Sequence, residues 1–517
     1  MEKVIAGMNS ESEKSNSEGD AFITNPVHLL LVCVGLVLAI FIAAIDETIV
    51  ATAMGAITSE LNGSSEVTWV SGAYLLTISA FTPLYGKFSD IFGRKPLKLF
   101  ALAAFLCGSV MSAVATDMVI LVIGRAIAGI GAGGLIALSY IIVSDVVPIH
   151  QRSMYLSLIN ITFAVANVAG PLVGGLLVDN VGWRWVFYIN VPVVVICAVV
   201  LIFFIPLPKA TGEIASKLKR IDVMGTVSLL VCITLFVLGM NWGGHGYSWS
   251  SLAVVLSLVT SFVALVVFVV VEVKFAAEPV LPVDGFNLNV GISCFISLVA
   301  GWTMFVFIYH WPMFFQIVMG STATEAGVQL LPIMLGVCVF AALSGFVVTY
   351  IGSYRPIMWV GMGLLVVGCS LMTNLSRDIS RFEQIVYPLI IGVGIGLNIQ
   401  TVLISAQAAA DKKSQAALTG FVTFCLNIGG VLGLSILGSI LNSLVVYNMK
   451  SDFSDERIGQ IMQDVASISQ LGQDEHALVM LAYASGYRIT FMSMIPVVAM
   501  GFIGAMFLKN IPIESDQ

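Results

Sequence analysis

Charge is what this chain has least of. Of its 517 residues only 10% are Asp, Glu, Lys or Arg, whereas 58% are hydrophobic, and the mean hydropathy is +1.00. Soluble domains carry about a quarter charged residues, so this composition excludes an ordinary water-soluble globule and points to a chain that lives in lipid. No basic stripe occurs outside the short connections between apolar runs, which excludes a nucleic-acid-binding surface. No Gly-x4-Gly-Lys-Ser/Thr stretch is present, so there is no ATP-binding loop of that kind. The eight cysteines all fall within apolar runs, and no pair has metal-ligand spacing. Neither a metal nor a cofactor is therefore expected. No catalytic constellation stands out, and the chain is not expected to be an enzyme. The first ~25 residues, rich in Ser, Glu and Asn, lack the apolar core of a cleavable signal and are expected to form a disordered tail.

What is present is a series of apolar runs. Windows of bilayer length fall at roughly 28–57, 68–86, 97–115, 119–143, 154–178, 185–206, 222–241, 251–273, 288–315, 326–350, 356–374, 383–409, 416–446 and 487–508, about fourteen spans. An even number places both termini on one side. The connections then assigned to that side hold Lys87, Arg94, Lys95, Lys98, Arg152, Lys209, Lys217, Lys219, Arg220, Lys274, Arg355, Lys412 and Lys413; the opposite side holds only Arg377, Arg381, Lys450 and Arg457. Positive charge collects in the cytosol, so both termini are expected there. Two glycosylation sequons, at Asn62 and Asn374, fall in loops on the outer side. The stretch 447–486 is a long outer loop in which Ile458, Ile461, Met462, Val465, Ile468 and Leu471 recur at helical spacing, as in a short amphipathic helix lying on the surface.

The connection after the second span reads Gly86-Lys87-Phe88-Ser89-Asp90-Ile91-Phe92-Gly93-Arg94-Lys95-Pro96-Leu97-Lys98. So short a link forces an antiparallel hairpin, and the two glycines permit close backbone approach. This stretch resembles the signature loop between the second and third helices of the major facilitator superfamily. The resemblance implies an all-α membrane transporter that works by alternating access, with Gly86, Asp90, Gly93, Arg94 and Lys95 acting as a gate on the cytosolic face. An echo of the stretch, Gly345-x6-Gly352-x2-Arg355-Pro356, has Thr349 where the first copy has Asp90, and Gly170 and Gly174 recur as Gly429 and Gly433. A parallel repeat of two six-helix halves fits this superfamily. The expected division is a tail at 1–26, an N-terminal six-helix bundle at 27–206, two extra helices with linkers at 207–286, a C-terminal six-helix bundle at 287–509 and a cytosolic tail at 510–517.

Several polar residues sit at membrane depth, where a carboxylate costs about 2.5–3.5 kcal/mol on insertion scales. Asp46 and Glu47 are adjacent in the first span, so only one can face a central cavity squarely. Alternatively, both lie near the outer interface and are solvated. The run Ile45-Asp46-Glu47-Thr48-Ile49-Val50 resembles the first-helix signature of the fourteen-span drug:proton antiporter branch, with Glu47 at its variable position. That favours Asp46 as the proton- or cation-binding group. Arg125 resembles the arginine of the family's fourth-helix motif, although Ala128 replaces a glutamine there; the resemblance implies a proton-relay or cavity-organising residue, the alternative being a structural hydrogen bond to backbone carbonyls. Gly170, Pro171, Gly174 and Gly175 resemble the fifth-helix motif of the antiporters, with Pro171 expected to kink its helix. His310, among aromatics, is either structural or a cavity-facing group able to titrate near physiological pH. Asn398, Gln400, Gln407 and Asn427 are candidates to line the C-terminal half of the cavity.

Within the branch, the runs Thr68–Leu76 and Pro83–Asp90 look most like fungal vacuolar transporters that exchange basic amino acids for protons. The expected function is therefore proton-coupled amino acid antiport at a vacuolar membrane. A multidrug or toxin exporter at the plasma membrane is the alternative. A non-transporting sensor would be expected to lose Asp46 or Asp90, and both are kept. The partners implied are a small-molecule substrate, protons and the bilayer, with the chain acting as a monomer.

Overall fold

In lipid, every backbone N–H and C=O must find its partner inside the chain, so long apolar runs become helices. A computed structural model describes residues 26–61, 67–147, 149–204, 223–244, 247–274, 287–377, 379–409, 415–454, 457, 458, 461, 473–509 and 511. The helices are α1 (Pro26–Leu61), α2 (Val67–Phe92), α3 (Arg94–Ala113), α4 (Met118–Val146), α5 (Ile149–Asn180), α6 (Trp185–Tyr188), α7 (Asn190–Phe204), α8 (Val223–Gly244), α9 (Leu252–Lys274), α10 (Leu288–Val318), α11 (Ala323–Ile351), α12 (Arg355–Leu371), α13 (Arg381–Ala408), α14 (Gln415–Met449), α15 (Gln473–Met492) and α16 (Ile495–Met506). One residue separates α6 from α7 and two separate α15 from α16, so each pair forms one rod. Among the described residues there are twelve helical stretches long and apolar enough to cross a membrane. Shorter apolar stretches, Trp69–Thr82 and Val227–Met240, lie in α2 and α8. No strand occurs among the described residues.

Several helix ends are closed by side chains. Asp117 caps α4 through the Ile120 N–H at 2.9 Å, and Asn287 caps α10 through Val290 at 3.0 Å. Thr322 with Glu325, and Ser380 with Glu383, form reciprocal capping boxes at the starts of α11 and α13. Such caps satisfy the N–H groups that a helix leaves free at its first turn.

The contacts repeat. Helix α1 packs on α5, α4 and α7, and α10 packs on α14, α13 and α16. Helix α4 packs on α2 and α3, as α13 does on α11 and α12. Cross-contacts run α5–α11, α2–α14 and α1–α10, while α8 and α9 pair with each other and reach the rest through α8 on α14 and α2.

One boundary differs from the sequence reading. The last rod begins at Gln473 rather than near 487, so the loop before it is confined to about 450–472. Ile458 and Ile461 are buried; the rest of the expected amphipathic helix lies outside the described residues, as do the tails, most of the linkers and Asn62. Pro171 lies inside α5, which is continuous from Ile149 to Asn180.

At the α2–α3 turn Gly93 has φ 90° and ψ 153°, a region open essentially to glycine alone. Gly93→Ala is expected to destabilise the protein by about 1–3 kcal/mol, seen as a lower melting temperature of the purified protein. At Gly86, by contrast, no described atom lies within 4 Å of where a Cβ would sit. Among the described residues the close approach expected there is not seen.

Candidate functional site

Asp46 lies midway along α1 and is fully buried. Its Oδ2 accepts from Arg125 Nη1 at 2.5 Å, and its Oδ1 accepts from Asn190 Nδ2 at 2.8 Å. Asn190, at the start of α7, also donates to Ser109 Oγ on α3 at 3.0 Å. Arg125, on α4, is likewise fully buried; its Nε donates to the Val70 carbonyl of α2 at 3.2 Å. The guanidinium carbon lies 4.0 Å from the centroid of the Tyr74 ring, and the Phe187 ring is 5.7 Å away on α6. A buried arginine keeps its proton and needs acceptors and a π-face, and here it has both. The arrangement excludes the interfacial, solvated position that the sequence left open for Asp46. It also gives Arg125 more than backbone carbonyls to bind. Asn190, Ser109 and Tyr74 are the partners that sequence reasoning missed. Asn190 lies in the aromatic-rich stretch 183–192, and nothing in its spacing tied it to Asp46.

Glu47 is nearly as buried as its neighbour. Its backbone carbonyl accepts from Tyr309 Oη of α10 at 2.8 Å, which places it where α1 meets α10. No hydrogen bond to its carboxylate is formed among the described residues.

The α2–α3 connection is tied to its own half of the chain. Arg94 Nε pairs with Asp145 Oδ2 at 3.0 Å, and Arg94 Nη1 donates to Ser89 Oγ at 2.9 Å. Lys95 Nζ donates to the Ile202 carbonyl at 2.7 Å. The side chains of Asp90, Arg152 and Thr349 lie outside the described residues.

At the end of the bundle away from the termini, the repeats are tied together. Asp179, next to the last residue of α5, accepts from the backbone N–H of Ala323 at 3.1 Å and of Thr324 at 2.8 Å, the first turn of α11. A carboxylate on a helix N-terminus is charge-assisted and matches the helix dipole. Gln316 Nε2 of α10 donates to the Thr52 carbonyl of α1 at 3.0 Å. Nearby, Glu60 accepts from Trp183 Nε1 at 2.7 Å and pairs with Arg184. The glycine motif of α5 serves this closure. Gly170 and Gly174 face Thr48, Ile49 and Thr52 of α1, while Gly175 faces Thr324 of α11. Pro171 meets Gly327 of α11.

The remaining candidates are not gathered. His310 is buried, 6.2 Å from the Tyr487 ring centroid, and its Nδ1 has no hydrogen-bond partner among the described residues. Asn398 donates to the Gly394 carbonyl of its own helix at 2.7 Å and lines a cavity of about 30 Å³ with Ser297, Val422 and Thr423. Gln407 donates to Thr419 Oγ1 at 2.8 Å, tying α13 to α14, whereas Gln400 is exposed and Asn427 is half-buried. Asn374 is exposed at the end of a short 3-10 turn.

The repeated helical packing around buried charges is that of a multi-pass membrane transporter. The chain belongs to the Major Facilitator Superfamily, whose family model matches residues 36–434. It is similar to the efflux pump roqT of Penicillium rubens, 34% identical over 420 residues, covering 80% of this chain and 78% of that one. It is also 31% identical over 503 residues to the aspyridones efflux protein of Neocamarosporium betae, covering 95% and 89%. Among solved structures, a bacterial homologue of the human lysosomal transporter Spinster, inward-facing and occupied, shares the fold with a TM-score of 0.67 at 15% identity, over 94% of this chain and 97% of that one. These relatives correct the substrate expectation. They are named for efflux, so the exporter alternative is better supported than vacuolar amino acid transport.

Proposed function

We propose that this protein is a proton-coupled exporter of small organic molecules at the plasma membrane, with both termini in the cytosol. The observation that carries the reading is the charge cluster of Asp46, Glu47 and Arg125 within the apolar bundle. A site of this kind exchanges charge with a gradient rather than with a nucleotide. The efflux names of the relatives supply the direction. In this reading the ties between α5 and α11 and between α1 and α10 lie at the outer end and join the two halves, and the substrate enters from the opposite, cytosolic end. Alternating access then consists of breaking one set of ties while making the other.

Inside-out plasma-membrane vesicles provide the test. With an acid interior they should accumulate a dye such as rhodamine 6G, and a protonophore should abolish the uptake. Uptake that survives collapse of the gradient overturns proton coupling. Lysine uptake confined to vacuolar vesicles restores the amino acid reading.

A further inference from the structure

A small cavity in the second half of the chain offers an occupant acceptors rather than donors. It has a volume of about 30 Å³ and lies between α10, α13 and α14. Its polar side chains are Ser297 of α10, Asn398 of α13 and Thr423 of α14. Each has turned a hydrogen toward a backbone carbonyl. Ser297 Oγ donates to Val422 at 2.8 Å, Thr423 Oγ1 to Thr419 at 3.0 Å, and Asn398 Nδ2 to Gly394 at 2.7 Å. A hydroxyl has one hydrogen to give, so Ser297 and Thr423 keep only lone pairs for an occupant. The Asn398 amide is held in this sense, because reversing it would set its oxygen against the Gly394 carbonyl oxygen. Its Nδ2 also lies against Gly361 of α12, 2.4 Å from where a Cβ would sit there. Asn398 is fully buried, and its Oδ1 has no hydrogen-bond partner among the described residues. An acceptor buried in this state is costly and calls for a reason.

We propose that this cavity is a subsite for one hydrogen-bond donor of the exported molecule, an amino or hydroxyl group, with Asn398 Oδ1 as its main acceptor. The proposal rests on the export reading and deepens it by naming a chemical feature of the cargo. Size supports it. A water takes up about 30 Å³ in the liquid, so the cavity has room for a group of that size and too little for a ring. Position supports it as well. Thr423 is exposed and Ile399, Leu403 and Leu426 are half-buried, so the cavity lies at the surface of its half rather than in its core. An ether, carbonyl or carboxylate brought to the same place meets lone pairs instead of hydrogens. The subsite therefore rejects acceptors as well as selecting donors. No ionisable side chain is among its lining residues, so the selection is by hydrogen bonding and not by charge.

The experiment uses the full chain in lipid nanodiscs with two dyes, rhodamine 123 and tetramethylrhodamine methyl ester. Both are methyl esters carrying one positive charge. The first has amino groups, whereas the second has dimethylamino groups with no N–H to donate. Fluorescence polarisation, corrected with empty nanodiscs, gives the two affinities. Wild type should bind rhodamine 123 about tenfold more tightly than the methylated dye. Asn398→Leu keeps the size and removes the acceptor, and should bring the two affinities to within about twofold. Thr423→Val, at an exposed position where folding is not at stake, should narrow the gap in the same direction. Steric exclusion of the added methyl groups predicts a preference that survives both substitutions, and that result overturns the proposal. So do equal affinities in wild type, the outcome for a cavity that holds only water, and so does a wild type that binds neither dye. Should Asn398→Leu not fold, Thr423→Val decides. Gradient-driven uptake into inside-out vesicles that does not distinguish the dyes removes the subsite while leaving the export reading intact. Loss of gradient dependence in wild type removes that reading instead.

Discussion

Arg125→Gln should destabilise the protein by about 3–5 kcal/mol, and adding Asp46→Asn should recover much of that loss. The reason is asymmetric. Removing the guanidinium leaves a fully buried carboxylate with Asn190 as its remaining described side-chain donor. Removing both charges leaves two amides of similar shape that can hydrogen-bond each other and Asn190. Thermal unfolding of the purified protein in detergent, run on wild type, both single variants and the double, measures the coupling. A double variant more stable than the sum of the single losses is expected. Simple additivity would show that the pair contributes nothing beyond its separate parts and would undo the view of Asp46–Arg125 as one fixed unit.

The rods were legible because apolar length is a one-dimensional signal, and a bilayer leaves few other solutions. Where that signal failed, the cause was local. The start of the last rod carries Gln473, Asp474, Glu475 and His476, which read as loop although the backbone is helical. Asp46 and Arg125 were each found as ionisable groups at membrane depth, but their pairing was not visible, because they lie 79 residues apart on different helices. Asn190 and Tyr74 were invisible for the same reason, since an amide and a phenol occur in many membrane helices with no special role. The choice between Asp46 and Glu47 shows the limit most clearly. Sequence likeness singled out Asp46 by its place in a motif, whereas the count of charges and donors around it depends on Arg125, Asn190 and Tyr309, brought there from three other helices. The polar residues of the second half failed in the opposite way: Asn398, Gln400, Gln407 and Asn427 share a depth in sequence but not a cavity in space.

Gly175→Val is expected to abolish export, by at least about tenfold, while the protein still reaches the membrane in normal amount. A Cβ at Gly175 would lie 2.6 Å from Thr324 Cα, 2.7 Å from the Ala323 carbonyl oxygen and 2.8 Å from the Thr324 nitrogen. All three are main-chain atoms, so no side chain can swing aside. The turn they belong to is also pinned, because Asp179 of α5 holds the Ala323 and Thr324 N–H groups. The added branch therefore has to push α11 off α5, and the cap on that helix goes with it. Each half keeps its own packing, α5 on α1 and α11 on α13, so the cost falls on the contact between halves rather than on folding. A transporter unable to close its outer end cannot complete the cycle that carries substrate out. Gly420→Ala is the matched control, since no described atom lies within 4 Å of a Cβ there, and it should leave export within about twofold of wild type. Dye uptake by inside-out vesicles at equal abundance reads both variants. Wild-type uptake by Gly175→Val would mean that the α5–α11 contact need not form during transport.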